Sequence, residues 1–229
     1  MKQTAACSRD DFFDRFLWDE NTISRYADSL HYGPGLDIIR DFAAKGGRSL
    51  SILDAGCGSG AFHKILRHRH VEHEYTGCDI SSTLLSRGKK FYGINRFVQC
   101  DIVDLPFQNN SFDVVAAYGI VYSIDAFEKV LKELMRVSRG VLIVNLLAPP
   151  LGWNSMRVKG ILKDQYVWML NPSHWKEYLD AYSIPAPDQT VTWQVPLNTQ
   201  GDYPVYRGIP YRLEQTHVWR LQGQGQDRP

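Results

Sequence analysis

The stretch Ser51–Phe62, SILDAGCGSGAF, decides the fold. Ile52 and Leu53 lie in a short strand-like run, Asp54 closes it, and glycine then takes every second position, Gly56, Gly58 and Gly60. Glycine disfavours both helix and strand, so this spacing marks a backbone that turns tightly and keeps Cβ atoms away from a neighbour. From Ala61 the residues AFHKILRHRH return to helical spacing. A strand entering a helix through such a loop presents unpaired N–H groups, where a polar or negative group binds. A ligand is therefore expected against Gly56–Gly60.

The same alternation extends along the chain. LSILD, HEYTGCD, RFVQCD, FDVVAAY and GVLIVNLL read as strands, with AFHKILRHRH, STLLSRGKKFYG and DAFEKVLKELMRVS as helices between them. Strands alternating with helices imply right-handed crossovers and a parallel sheet covered on both faces. The apolar run VLIVNLL fits burial on both sides. Upstream, residues 10–30 carry helical spacing, HYGPG interrupts it, and Leu36–Ala44 forms a further helix ending at Gly46-Gly47. Beyond Pro149-Pro150 the pattern loosens. PSHWKEYLDAY reads as a helix with Ser173 as candidate cap, and QTVTWQVPL with YRLEQTHVWRLQ as an antiparallel pair. The expected organisation is a helical lid segment at 1–47, one α/β domain at 48–222 with an irregular part at 151–211, and a tail at 223–229.

Composition narrows the function classes. The 229 residues carry a formal net charge of +1, so no global field draws nucleic acid or an anionic membrane, and neither is expected as a partner. No run of about 18 apolar residues offers a spanning helix. The start MKQTAACSRDDFF lacks the apolar core of a secretion signal. Cys7, Cys57, Cys78 and Cys100 form no CxxC and read as reduced thiols of a cytoplasmic protein. A monomer or homodimer acting on a small molecule is expected.

The spacing Gly-x-Gly-x-Gly differs from the dinucleotide fingerprint G-x-G-x-x-G. Asp79, in GCDIS, ends the second strand about twenty residues past the glycines, where a carboxylate can accept both hydroxyls of a ribose. Asp101 follows the third strand in QCDIVDLPFQNNSFDVV. Its carboxylate could accept from an exocyclic adenine amine, with the Ile102 N–H facing a ring nitrogen. Side by side on one sheet edge, these sites suit an adenosine with a short polar tail rather than a pyrophosphate.

ILDAGCGSG, GCDIS, CDIVDLPFQNNSFDVV and FEKVLKELMRVSRGVLIV, in this order, resemble the successive motifs of the class I S-adenosylmethionine-dependent methyltransferases, most of all the group acting on small molecules. The resemblance covers Leu50–Leu147. It implies S-adenosyl-L-methionine as cofactor and a Rossmann-like, seven-stranded, mostly parallel sheet with its last strand antiparallel. It implies methyl transfer to a small organic acceptor at oxygen, nitrogen or carbon. It also implies that Asp54, Gly56 and Gly58 hold the methionine part and Asp79 the ribose. Ile80 would pack on adenine, Asp101 and Ile102 would hold the adenine edge, and Tyr118 and Gly119 would lie near the sulfonium. SRG stands where the family carries a double glycine before the fifth strand, a departure confined to a turn.

The acceptor side is less marked. AYGIVYS replaces the Asn/Asp-Pro-Pro-Tyr of enzymes methylating adenine or glutamine nitrogens. The paired glutamates of arginine methyltransferases and the Asp…Asp-Asn set of metal-dependent catechol enzymes are missing as well. The family's N-terminal segment often folds over the cofactor, which offers Tyr26 either for the methionyl carboxylate or for core packing. His31, Tyr122 and His174 are the candidate catalytic residues: His31 and His174 as bases, Tyr122 from the pocket wall. Trp168, Trp175, Trp193, Tyr203, Tyr206 and Tyr211 either wall the acceptor or fill the groove between lid and sheet. His63, His68, His70 and His73 cluster in sequence, but His63 and His68 are five apart, so a solvated face is expected and no metal. Two further readings stay open: a cofactor-binding partner subunit without catalysis, and a same-fold enzyme running another reaction such as a cyclisation.

Overall fold

The computed structural model describes residues 17–29, 31–152, 154–159, 166–196 and 211–221. Two helices, α1 (Glu20–Ala27) and α2 (Gly33–Gly46), precede the alternating part. That part runs β1 (Leu50–Ala55), α3 (Ala61–His68), β2 (His73–Asp79), α4 (Ser82–Tyr92), β3 (Phe97–Gln99), β4 (Phe112–Ala117), α5 (Phe127–Val137) and β5 (Ser138–Ala148). There follow β6 (Met156–Lys159), β7 (Tyr166–Met169), α6 (Pro172–Ala181), β8 (Gln189–Pro196) and β9 (Tyr211–Arg220).

Seven strands form one sheet in the order β3-β2-β1-β4-β5-β9-β8. β1 to β5 pair in parallel, and β9 runs antiparallel between β5 and β8. The strand order reverses between β1 and β4, and an open α/β sheet holds its ligand outside the carboxyl ends at such a reversal.

Periodicity places the layers. Phe127, Val130, Leu131, Leu134 and Val137 recur on one face of α5 and are buried. They pack with Trp175 and Leu179 of α6 over Leu53, Val115 and Leu142. The other face carries Ile23, Leu36, Ile39 and Leu66 of α1, α2 and α3 over Ile52, Val114 and Ile143. Each such fully buried aliphatic contributes about 1.5–3 kcal/mol. At the amino ends of the strands, buried Asp113 accepts from Arg48, from Arg139 Nε at 2.8 Å and from the Ser51 N–H at 2.9 Å. Those bonds tie β1, β4 and β5 together and hold the Asp113 carboxyl well below the usual carboxylate range against the opposing effect of burial.

Four details differ from the sequence reading. Ser138-Arg139-Gly140, expected in a turn, begins β5 directly after α5, and Arg139 donates from there to Asp113. α2 starts at Gly33 and takes in Pro34, because the first turn of a helix has no use for the missing N–H. α6 is capped by Asn171, whose side chain accepts the Ser173 N–H at 2.9 Å, so Ser173 donates rather than caps. β6 and β7 form a separate two-stranded sheet inside the part expected to be irregular. Strands of four residues are too short to show a period. Tertiary contact holds them, through Leu147, Val167 and Met169 and a Leu170 N–H bond to Leu147 O at 2.8 Å. Residues 10–16, 197–210 and 223–229, on which parts of the reading fell, lie outside the described residues. No described helix is long and apolar enough to cross a membrane.

Candidate functional site

The glycine loop sits at the carboxyl end of β1. Gly56 and Gly60 have φ of +74° and +85°, a left-handed backbone that side chains resist. A Cβ on Gly56 would stand 2.8 Å from the Ile120 side chain. Cys78 O accepts the N–H groups of Gly56 and Cys57 at 2.8 and 2.9 Å, which pins the loop to β2. Asp79 fastens it again. Its Oδ2 accepts the Gly58 N–H at 2.9 Å and its Oδ1 the Ser81 N–H at 2.8 Å. A carboxylate has about four acceptor positions, so Asp79 retains capacity for a ligand's hydroxyls.

Beside this loop opens a cleft of about 370 Å³, lined by Gly56, Asp79, Ile80, Asp101, Ile102 and Val103 on one side and by Ile120, Ser123, Ile124 and Asp125 on the other. Ile80 is 68% exposed at the tip of β2, an apolar side chain left without protein cover. Asp101 Oδ1 accepts the Val103 N–H at 3.1 Å, and Ile102 is buried beneath. The charged residues among the described lining are all acidic. Cys78 and Cys100 complete the floor. Interaction between the two thiols holds the Cys100 thiol below the ordinary range and, with burial, the Cys78 thiol above it. Glu133 and Arg136, read as helix surface and packing, brace the loop behind. Glu133 accepts the Leu105 N–H, and Arg136 donates to Leu105 O and Phe107 O.

Asp54, Gly56, Gly58, Asp79, Ile80, Asp101 and Ile102 are thus brought to one edge, with one distinction. Asp54 is 3% exposed beneath the loop, its Oδ2 accepting the Tyr75 phenol at 2.7 Å. Burial pushes its pKa up to about 7, the phenol bond opposes, and the Asp79 charge adds. Tyr118, past β4, is buried, its hydroxyl against Gly35 and without a partner. Gly119, at φ +75°, is exposed, with the Tyr122 hydroxyl 3.6 Å from where its Cβ would stand. Tyr26 stacks on Trp18 with ring centroids 4.3 Å apart, within the packing of the N-terminal helices.

The three catalytic candidates separate. His31 Nδ1 lies 2.7 Å from Glu214 Oε2 on β9. Tyr122 packs against the hairpin cluster with Leu147 and Met169. His174 is exposed, 2.9 Å from the Ser155 hydroxyl, away from the cleft lining. Trp175 is core, stacked on Phe127 and Tyr178. Trp168 donates to Asp125 at 3.0 Å while Arg157 lies over its ring. The side chains of Trp193 and Tyr211, and all of Tyr203 and Tyr206, lie outside the described residues. Only His68 and His70 are exposed as expected. His63 and His73 pair at 3.0 Å, and burial pushes the His63 pKa down to about 4. No group of metal-ligating side chains occurs among the described residues. The sequence reading missed Glu214, which has no local motif, and Ile120, Ile124 and Asp125, which stand a few residues past the strand that it did mark.

Residues 53–144 match a family model described as a methyltransferase domain. The chain is 29% identical over 138 residues to a malonyl-[acyl-carrier protein] O-methyltransferase of Legionella pneumophila, covering 58% of this chain and 46% of that protein. It is 32% identical over 119 residues to a demethylmenaquinone methyltransferase of Thermotoga maritima, covering 51% and 50%. The chain spans about half the length of these curated relatives. The fold is also that of the Burkholderia thailandensis 1,6-didemethyltoxoflavin-N1-methyltransferase, solved with 1,6-didemethyltoxoflavin and S-adenosylhomocysteine. The TM-score is 0.57 at 18% identity, over 93% of this chain and 87% of that one.

Proposed function

We propose that this chain is a class I methyltransferase, whose residues 53–144 match a methyltransferase-domain model and whose sheet has the fitting strand order, and that it transfers the methyl group of S-adenosyl-L-methionine to a small organic acceptor. The observation that carries the proposal is the cleft itself: a left-handed glycine loop at one end, acids at the strand tips and an exposed isoleucine between them. The residues present fit a cationic nucleoside. Asp79 has acceptor capacity for sugar hydroxyls, Ile80 an uncovered apolar face for a ring, and Asp101 and Ile102 an edge for the base. Acidic lining suits a positive sulfonium and repels a diphosphate.

When bound, the cofactor supplies a methyl group already activated on a positively charged sulfur. The chain's own part is positioning, worth up to about 7–11 kcal/mol when the acceptor is held in line. In this reading Gly56 and Gly58 cradle the amino-acid tail, and Asp54 supports their loop from below. Tyr118 and Gly119 form the boundary between donor and acceptor sides. Tyr26 packs in the covering helices α1 and α2 rather than binding the carboxylate. Tyr122 and the β6–β7 hairpin wall the acceptor. The described cysteines are unpaired thiols, which suits a cytoplasmic protein, here read as a monomer or homodimer.

Calorimetric titration with S-adenosylhomocysteine and, separately, with NAD tests the donor assignment. Binding of the first without the second is expected, and the reverse result overturns it. Labelled methyl from S-adenosylmethionine should then appear in a component of a metabolite pool. A protein that binds the donor and labels nothing is instead a cofactor-binding partner subunit or a same-fold enzyme running another reaction.

A further inference from the structure

We infer that Glu214 of β9 is a positioning residue for His31, and that the two form a carboxylate–imidazole pair that takes the proton from an acceptor hydroxyl. The inference rests on the methyl-transfer reading and narrows its acceptor to a molecule methylated on an oxygen that carries a proton.

The contact joins residues 183 positions apart at 2.7 Å, with side chains 22% and 6% exposed. A carboxylate so nearly buried keeps its charge only when paired and hydrogen-bonded. The simplest pairing has the His31 Nδ1–H donating to Glu214 Oε2. That fixes the proton on Nδ1 and leaves the Nε2 lone pair available. Nε2 has no hydrogen bond among the described residues and is not among the atoms sealed from solvent. A ring held by a carboxylate on one nitrogen and open at the other is the arrangement of a general base.

Its place in the sheet fits that work. The His31 ring stands 5.6 Å from the ring of Tyr118, the residue that follows β4. Glu214 pairs in register with Leu147, near the carboxyl end of β5. The pair therefore sits at the same carboxyl edge as the cleft, toward β5 and β9, while Asp79 and Asp101 sit at β2 and β3. The neighbouring phenols do not compete as bases. Burial pushes both Tyr32 and Tyr118 well above their ordinary range, so they stay protonated.

In the step, the acceptor O–H bond breaks and its proton passes to His31 Nε2. The oxygen electron pair forms the new bond to carbon, and the methyl–sulfur bond breaks with its pair remaining on sulfur. The imidazolium left behind is stabilised by the Glu214 carboxylate and returns its proton to water.

The first test needs no cofactor. Protein labelled with 15N-histidine carries seven histidines, and the His31 signals are assigned by their loss in His31→Gln. Near pH 8 the native protein should show His31 in the Nδ1–H form. Glu214→Leu should shift it toward the Nε2–H form, and Glu214→Gln, whose amide oxygen still accepts, should retain Nδ1–H. A native Nε2–H form, or a form unmoved in Glu214→Leu, overturns the pair. Where Glu214→Leu does not fold, His31 in Glu214→Gln and the native protein still decides by its tautomer. The second test uses the pool component labelled above. Glu214→Leu should lower kcat about a hundredfold or more, with the KM for S-adenosylmethionine changed less than about twofold. Glu214→Gln should recover part of the loss. Methylation on nitrogen, carbon or sulfur also overturns the inference. Absence of S-adenosylhomocysteine binding sinks the methyl-transfer reading while the tautomer result stands, so the two failures are distinguishable.

Discussion

The tips of β1, β2 and β3 and the segment after β5 meet at one edge of the sheet but are built by different means. At the first, backbone does most of the work: Gly58 reaches Asp79 across 21 residues and Cys57 reaches Cys78, all by N–H groups held in register by adjacent strands. At the second, side chains meet over long separations, His31 with Glu214 across 183 positions and Asp125 with Trp168 across 43. A backbone cradle tolerates little change, because glycine and strand register together define it. A side-chain surface on hairpin and antiparallel strands can be rewritten residue by residue. That contrast fits the proposed split between a donor side at the glycine loop and an acceptor side at the hairpin.

The comparison predicts large effects under the loop and small ones on the hairpin. Asp54 is the extreme. Between about pH 4 and about pH 7 the unfolded chain has ionised this carboxyl while the folded chain still holds its proton. Stability is therefore lost as pH rises through that window and levels above it. The full shift corresponds to about 4 kcal/mol at 1.36 kcal/mol per unit. Denaturant titrations of native protein and Asp54→Asn across this range should show the variant gaining on the native as pH rises; parallel curves would remove Asp54 as a strained support.

Gly56→Val comes next. Left-handed backbone strain of about 1–3 kcal/mol and the contact with Ile120 should weaken S-adenosylhomocysteine binding about a hundredfold. Unchanged affinity would show that the loop does not touch the ligand. Asp79→Ala should cost at least tenfold, about 1.4 kcal/mol, by removing the acceptor for Gly58 and Ser81 as well as for the sugar. Calorimetry reads both. Trp168→Phe is the smallest: losing one bond to the exposed Asp125, which stays in the cleft wall, should lower stability by about 0.5–1 kcal/mol and change donor affinity less than about threefold. A large loss of donor binding there would break the separation of the two regions.

The proposed donor site was legible because its determinants are local. Gly56, Gly58 and Gly60 follow a strand, Asp79 and Asp101 end the next two, and crossover rules bring those ends together. The apolar spacing of α5 and the continuous burial of β5 were equally plain. The β6–β7 hairpin was not, since four-residue strands carry too little pattern. Trp175 was ambiguous for another reason: a tryptophan in an irregular stretch reads alike as pocket wall or as core, and only the stacking on Phe127 decides it.

The sequence alone determined the parallel sheet, its glycine turn and the acids at its tips, because local propensity and periodicity act within a few residues of one another. Tertiary structure alone decided that Asp54 lies under the loop, that Ile80 stands uncovered, and that His31 meets Glu214. Burial and long-range pairing depend on which elements pack together, and no short stretch of chain records that.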